Sequence, residues 1–266
     1  MTGEEKPKIA FFDFACCEGC QLSVLQMDEC LDLLQQIEVV NWREVSSERR
    51  QDYEIAFCEG SITTEHDMER IRKVRDQAQI LVSLGACASI GCRNALKNRY
   101  PMEESLKLVY GDKADCFETL PAQPVTAVVD VDYQIQGCPA GVPEIATVFK
   151  KILTGQDHTP SNDPVCVECK RKDNLCVYEK GLICLGPITR CGCDAICTTF
   201  GDGCQGCRGL IDDANINAAS RVLTAKNLHP IMARVVQEHQ LSKQEVLNKV
   251  AVYNRPRLRE GQDGDA

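Results

Sequence analysis

Between residues 158 and 210 the chain carries nine cysteines, among them Cys166, Cys169, Cys176, Cys184, Cys193, Cys197, Cys204 and Cys207, and few large apolar residues. Such a stretch cannot bury enough apolar surface to hold itself together. Bound metal is the physical substitute for a missing core. The whole chain has eighteen cysteines in 266 residues. A disulfide framework belongs to exported proteins. The start, MTGEEKPKIAFF, is charged and runs into a strand-like segment rather than an apolar leader. No apolar run approaches the roughly 20 residues of a membrane helix. The expectation is therefore a cytoplasmic protein, away from any membrane, whose thiols bind metal. The formal net charge of −9 argues against nucleic acid, which calls for clustered Lys and Arg.

Residues 7 to about 157 read differently. Apolar runs of four to six residues alternate with helical patterns. The strand-like runs are KIAFFDFA (8–15), VVNW (39–42), EIAFCEG (54–60), ILVSLGAC (80–87) and VDYQIQGC (131–138). Helical patterns cover Leu22 to Gln36, Thr64 to Gln77 and about Val142 to Leu153. This alternation predicts a parallel sheet covered on both faces. Residues 99–125, with three prolines and no clear period, read as a long excursion. The fold class expected is α/β: a parallel-sheet domain over 1–157, then a small irregular cysteine-rich domain with C-terminal helices over 158–255. Helix is expected again from Asp212 to Val250, broken near His229-Pro230, and the tail 256–266 is expected to be disordered.

In an open parallel sheet, ligands gather beyond the carboxyl ends of the strands. Cys17 and Cys20 follow the first strand, Cys87 follows ILVSLG, and Cys138 follows VDYQIQ. Three separated segments thus bring four thiols to one sheet edge, the usual complement of a [4Fe–4S] cluster. Gly19, Gly85 and Gly137 flank them, allowing backbone to approach a bulky group. Cys87 and Cys138 taken singly could be small core residues; together with CEGC they indicate a cluster. Cys16 is left as core, because Cys17-x-x-Cys20 has chelating spacing. Glu18 and Glu59 end up at the same edge. Each is either a proton relay or an ordinary loop carboxylate.

In the second region two sets of four thiols fit two further [4Fe–4S] clusters. The pattern departs from the ferredoxin run CxxCxxCxxxCP. Paired CxxC units also suit structural zinc, so a zinc-stapled scaffold is the alternative of another class. Cys191 could replace Cys193. Cys30, Cys58, Cys92 and Cys116 have no partner at ligand spacing and read as core or spare thiols.

CEGCQLSVL, IAFCEGS, LGACASIGC, VDYQIQGCP and PVCVEC…CLGPITRCGCDAIC…GCQGC, in that order, resemble the small subunits of cytoplasmic [NiFe] hydrogenases. The resemblance spans residues 8 to about 210. It implies a flavodoxin-like first domain. It implies that Cys17, Cys20, Cys87 and Cys138 hold a proximal cluster facing a nickel–iron site in a large subunit. Cys193, Cys197, Cys204 and Cys207 would hold the medial cluster, and Cys166, Cys169, Cys176 and Cys184 the distal one. Membrane-bound relatives start the distal site with His and lack a fourth medial thiolate. Here Cys166 and Cys197 stand at those places. Ala140 departs from the common GCPP. YGDKADCF and QPVTAVVDVDYQIQGCP are most similar to the delta subunits of four-subunit, NADP-linked enzymes, the sulfhydrogenases. That implies an FAD-bearing, NADP-binding partner and a further iron–sulfur partner. Heterodisulfide-reductase-linked and F420-reducing hydrogenases share most of the motifs. A quinone-reductase subunit with a similar first domain would lack use for the eight later cysteines.

Overall fold

The structure is a computed structural model, and it describes residues 6–28, 30–216 and 218–219. The expected helix beyond residue 219 and the tail 256–266 lie outside the described residues. The chain divides into two compact units, Met1–His158 and Thr159–Ala266.

The first unit is built on five parallel strands: β1 (Lys8–Asp13), β2 (Glu38–Asn41), β3 (Ile55–Glu59), β4 (Ile80–Leu84) and β5 (Tyr133–Ile135). Their order across the sheet is β2-β1-β3-β4-β5, a flavodoxin-like, doubly wound arrangement. Register runs without a slip from Ile9↔Ile55 to Asp13↔Glu59 and from Ile55↔Ile80 to Glu59↔Leu84. Side chains alternate between two cores, as a strand's period of two demands. Ile9, Phe11, Ile55, Phe57, Val82 and Leu84 face one core. Ala10, Phe12, Ala56, Cys58 and Leu81 face the other.

Helices α1 (Gly19–Leu25), α2 (Cys30–Gln36) and α6 (Val142–Leu153) supply Val24, Leu33, Ile145, Val148, Phe149 and Ile152 to the first core. Phe11 stacks on Trp42 at 4.0 Å and on Phe57 at 4.9 Å, and Phe57 on Phe149 at 4.5 Å. Helix α3 (Glu65–Gln77) covers the second core with Ile71 and Val74. Its start is set by Thr64, whose hydroxyl accepts the Asp67 N–H at 3.0 Å, an N-cap reinforced by Glu65 and Asp67 in the first turn. Ala88 of α4 (Gly85–Ile90) joins that core.

Two local expectations change. The single helix expected from Leu22 to Gln36 is two helices, the first starting at Gly19 and ending at Leu25, the second starting at Cys30. The excursion at 99–125 contains a helix, α5 (Met102–Tyr110), besides a 3-10 turn over Gly111–Cys116. Helix α5 buries none of its residues, although Met102, Leu106, Val109 and Tyr110 recur at helical spacing.

Among the described residues, the second unit has little regular structure: α7 (Val165–Arg171), α8 (Ile196–Thr199) and 3-10 turns at Val177–Lys180 and Gly186–Ile188. Its apolar clusters among those residues are small. One is Leu185, Ile188 and Leu210; the other is Val165, Val177, Ala195 and two thiols, Cys184 and Cys204. Cysteine sulfur is itself part of the core here.

Candidate iron–sulfur sites

Four of the five strands of the first unit end on residues of one site. Asp13 ends β1, and the loop to α1 carries Cys17; Cys20 lies in α1. Glu59 ends β3. Cys87 lies in α4, directly after β4, and Cys138 comes just after β5. The parallel register places Asp13, Glu59 and Leu84 side by side, so the loops leaving these strands emerge along one edge.

Glycine is required at two points of this edge. Gly85 has φ +81, and a Cβ there would stand 2.3 Å from the Cys20 sulfur. Gly137 has φ +119, and its Cβ would meet the Pro139 carbonyl at 2.8 Å. No larger residue fits either cradle. The Ala140 N–H donates to the Cys20 sulfur at 3.4 Å, the kind of hydrogen bond that stabilises a ligating thiolate. Ser61 donates its hydroxyl to the carbonyls of Cys87 at 3.1 Å and Gly91 at 3.0 Å, fixing the turn after Cys87.

Glu59 is 2% exposed. Its carboxylate accepts the N–H of Cys20 at 3.1 Å and of Gln21 at 3.0 Å. Burial pushes its pKa up, and these hydrogen bonds pull it back. It organises the start of α1. Glu18, left-handed at φ 63, is ion-paired with Arg43 at 2.7 Å near the surface. Arg43 also pairs with Asp13 at 3.2 Å.

The thiols differ in character. Burial raises Cys20 and brings Cys16 up to about 12. Cys138 falls to about 6, chiefly because the Cys92 thiol hydrogen-bonds to it. Cys87 is lowered by the same thiol. Cys92, read from spacing as core or spare, is fully buried but abuts two of the four candidate ligands. The five-residue step from Cys87 to Cys92 in GACASIGC was the only sequence signal. Cys58 lies buried within β3 and Cys116 is exposed.

In the second unit Cys166, Cys169, Cys176 and Cys184 act on one another electrostatically. Burial brings Cys166 up to about 11. The Cys184 sulfur accepts N–H groups from Gly186 at 3.4 Å and Cys204 at 3.3 Å. A Cβ on Gly186 would lie 3.2 Å from that sulfur and 3.6 Å from the Cys166 sulfur. Cys204 and Cys207 are electrostatic neighbours. Burial raises Cys193, with the nearby Glu168 adding to it, and raises Cys197 with help from Asp202. Cys191 is buried; its N–H donates to the Asp163 carbonyl at 2.8 Å and its carbonyl accepts Arg208 Nε at 2.7 Å. Glycine cradles, N–H donors aimed at sulfur and an all-thiol donor set fit iron–sulfur cubes. Among the described residues, no three His, Cys, Asp or Glu side chains gather about a point that one ion could occupy.

A parallel α/β sheet with cysteines beyond its strand ends, joined to a cysteine-rich unit, defines a class of iron–sulfur oxidoreductase subunit. The family described as NADH ubiquinone oxidoreductase, 20 Kd subunit, matches residues 17–152. Sulfhydrogenase 2 subunit delta of Pyrococcus furiosus is 35% identical over 220 residues, covering 81% of this chain and 92% of the relative. A subunit of the F420-non-reducing hydrogenase vhu of Methanocaldococcus jannaschii is 30% identical over 253 residues, covering 82% of this chain and 88% of the relative. A chain of the NAD+-reducing [NiFe]-hydrogenase in its H2-reduced state superposes with a TM-score of 0.53 at 27% identity, over 59% of this chain and 96% of that one. The actinobacterial-type NiFe-hydrogenase from Ralstonia eutropha H16 shares the fold with a TM-score of 0.57 at 13% identity, over 91% of both chains. The chain belongs to the 20 Kd subunit family and, within it, to the small subunits of [NiFe] hydrogenases. Among the described residues, no helix is long and apolar enough to cross a membrane.

Proposed function

We propose that this chain is the electron-transfer small subunit of a cytoplasmic, NADP-linked [NiFe] hydrogenase. It would sit between a large subunit holding the nickel–iron site and an FAD-bearing, NADP-binding subunit, with a further iron–sulfur subunit beside them. The strand-end thiols Cys17, Cys20, Cys87 and Cys138 carry the proposal, gathered with a buried carboxylate on one sheet edge. They would hold the proximal cluster. Cys193, Cys197, Cys204 and Cys207 would hold the medial cluster, and Cys166, Cys169, Cys176 and Cys184 the distal one.

When bound, [4Fe–4S] clusters take up and release single electrons at potentials set by charge, hydrogen bonds and exposure. The chain's own residues set those conditions. Glu59 fixes where Cys20 stands. The N–H groups of Ala140, Gly186 and Cys204 stabilise negative charge on sulfur. Burial of Cys20, Cys184 and Cys204 keeps water from those sulfurs. On this reading Glu59 would hold a proton beside Cys20, with Glu18, in the loop between β1 and α1, nearer solvent. The similarity to sulfhydrogenase subunit delta supports the NADP-linked type over the F420-linked and heterodisulfide-reductase-linked types.

Anaerobic co-purification from the native source tests this. Expected are a brown complex, about twelve irons and twelve labile sulfides on this chain, a nickel-containing partner and a flavin-containing partner. A colourless, zinc-loaded chain without a nickel partner would overturn it.

A further inference from the structure

Glu168 lies between Cys166 and Cys169 on α7, yet its carboxylate serves a different loop. Oε1 accepts the Gly192 N–H at 2.8 Å, and Oε2 accepts the Ala195 N–H at 3.2 Å. The Cys193 sulfur stands 3.9 Å from Oε2. The loop around Cys193 has an unusual backbone: Gly192 at φ +116, Asp194 at φ 57 and Ala195 at φ 51. Non-glycine residues rarely enter that region, and here two do so in succession. Such runs turn N–H groups inward and make a concavity that takes an anion. The anion supplied here is Glu168.

The other side of the loop is gripped by a cation. Arg208, next to Cys207, is 2% exposed. It donates Nε–H to the Cys191 carbonyl at 2.7 Å. A Cβ on Gly192 would stand 2.4 Å from one of its terminal nitrogens, so only glycine fits between. Cys193 is thus suspended between two buried or half-buried charges of opposite sign, one rooted between two ligands of the other quartet.

We propose that Glu168 is a positioning residue for Cys193: it ties the loop of one cluster to the helix that carries two ligands of the other. Its negative charge also holds the potential of the cluster on Cys193 below what a neutral side chain would give. This rests on the three-cluster reading above.

The test uses the complete complex, purified anaerobically, with redox titrations monitored by electron paramagnetic resonance and with iron and sulfide counts. Glu168→Gln keeps the shape and one acceptor but loses the charge. It should retain full iron, and one cluster's transition should shift positive while the other two stay. Glu168→Ala removes both acceptors and should lose that same cluster, about four of about twelve irons. Unmoved transitions in the Gln variant, or full iron in the Ala variant, would overturn the inference. So would loss of both clusters of the second unit together, which would mean that Glu168 holds the unit rather than the loop. A wild-type complex with fewer than three four-iron signals would instead sink the three-cluster reading, whatever the variants do.

Discussion

The Glu59 carboxylate, last residue of the central strand, accepts the backbone N–H of Cys20 at 3.1 Å, 39 residues earlier in the chain. A buried acid thereby sets the position of a candidate ligand, and its charge and a side-chain hydrogen bond also help raise the Cys20 thiol. Glu59→Ala leaves the N–H groups of Cys20 and Gln21 buried without an acceptor, at about 1–3 kcal/mol for each. Urea unfolding should show that loss, and iron should fall at the strand-end site first. Glu59→Gln, which keeps one acceptor, should lose roughly half as much stability.

Gly85→Ala combines two penalties. The left-handed backbone costs about 1–2 kcal/mol for any other residue. The new Cβ would stand 2.3 Å from the Cys20 sulfur, which must move. Iron analysis should show about four irons lost. Gly155→Ala, also at positive φ but with nothing within 4 Å, should cost about the same backbone energy and leave iron unchanged.

Cys138→Ser should remove the strand-end cluster and end H2 oxidation. Dye reduction by NADPH, which would use only the flavin partner, should survive. H2 oxidation at the wild-type rate would remove Cys138 from the ligand set.

Phe57 is 1% exposed and stacks between Phe11 and Phe149. Phe57→Ala should destabilise the first unit by about 3–5 kcal/mol, measured by urea unfolding, with the strand-end edge lost only as the sheet is lost.

Much of the first unit could be read in advance because parallel strands buried on both faces are short continuous apolar runs, as in IAFCE and ILVSL. Their ends located Cys17, Cys20, Cys87, Cys138 and Glu59 on one edge. Helix α5 escaped although Met102, Leu106, Val109 and Tyr110 recur at helical spacing, because that stripe spans only nine residues and none of it is buried. The break between α1 and α2 escaped because Met27, buried at 5%, continues the apolar spacing across it. Cys92 escaped for another reason. Its contacts with Cys87 and Cys138 depend on Gly91 at φ +80 and on its own φ of 45 turning the chain back, which no spacing rule encodes. Glu168 and Arg208 were hidden likewise: a carboxylate inside CVEC looks solvated until the 192–195 backbone is known.

The sheet order has a consequence for how metal enters. Ala140 meets the Cys20 sulfur across 120 residues of sequence, and β5 joins only at the sheet's far side, beside β4. A chain emerging from the ribosome, with β1 formed and β5 still unmade, offers two thiols of this set and then three. The fourth arrives last. On the proposed reading, a cluster at this edge would be loaded onto a nearly finished sheet, whereas the nine thiols within the 42 residues from Cys166 to Cys207 are made close together.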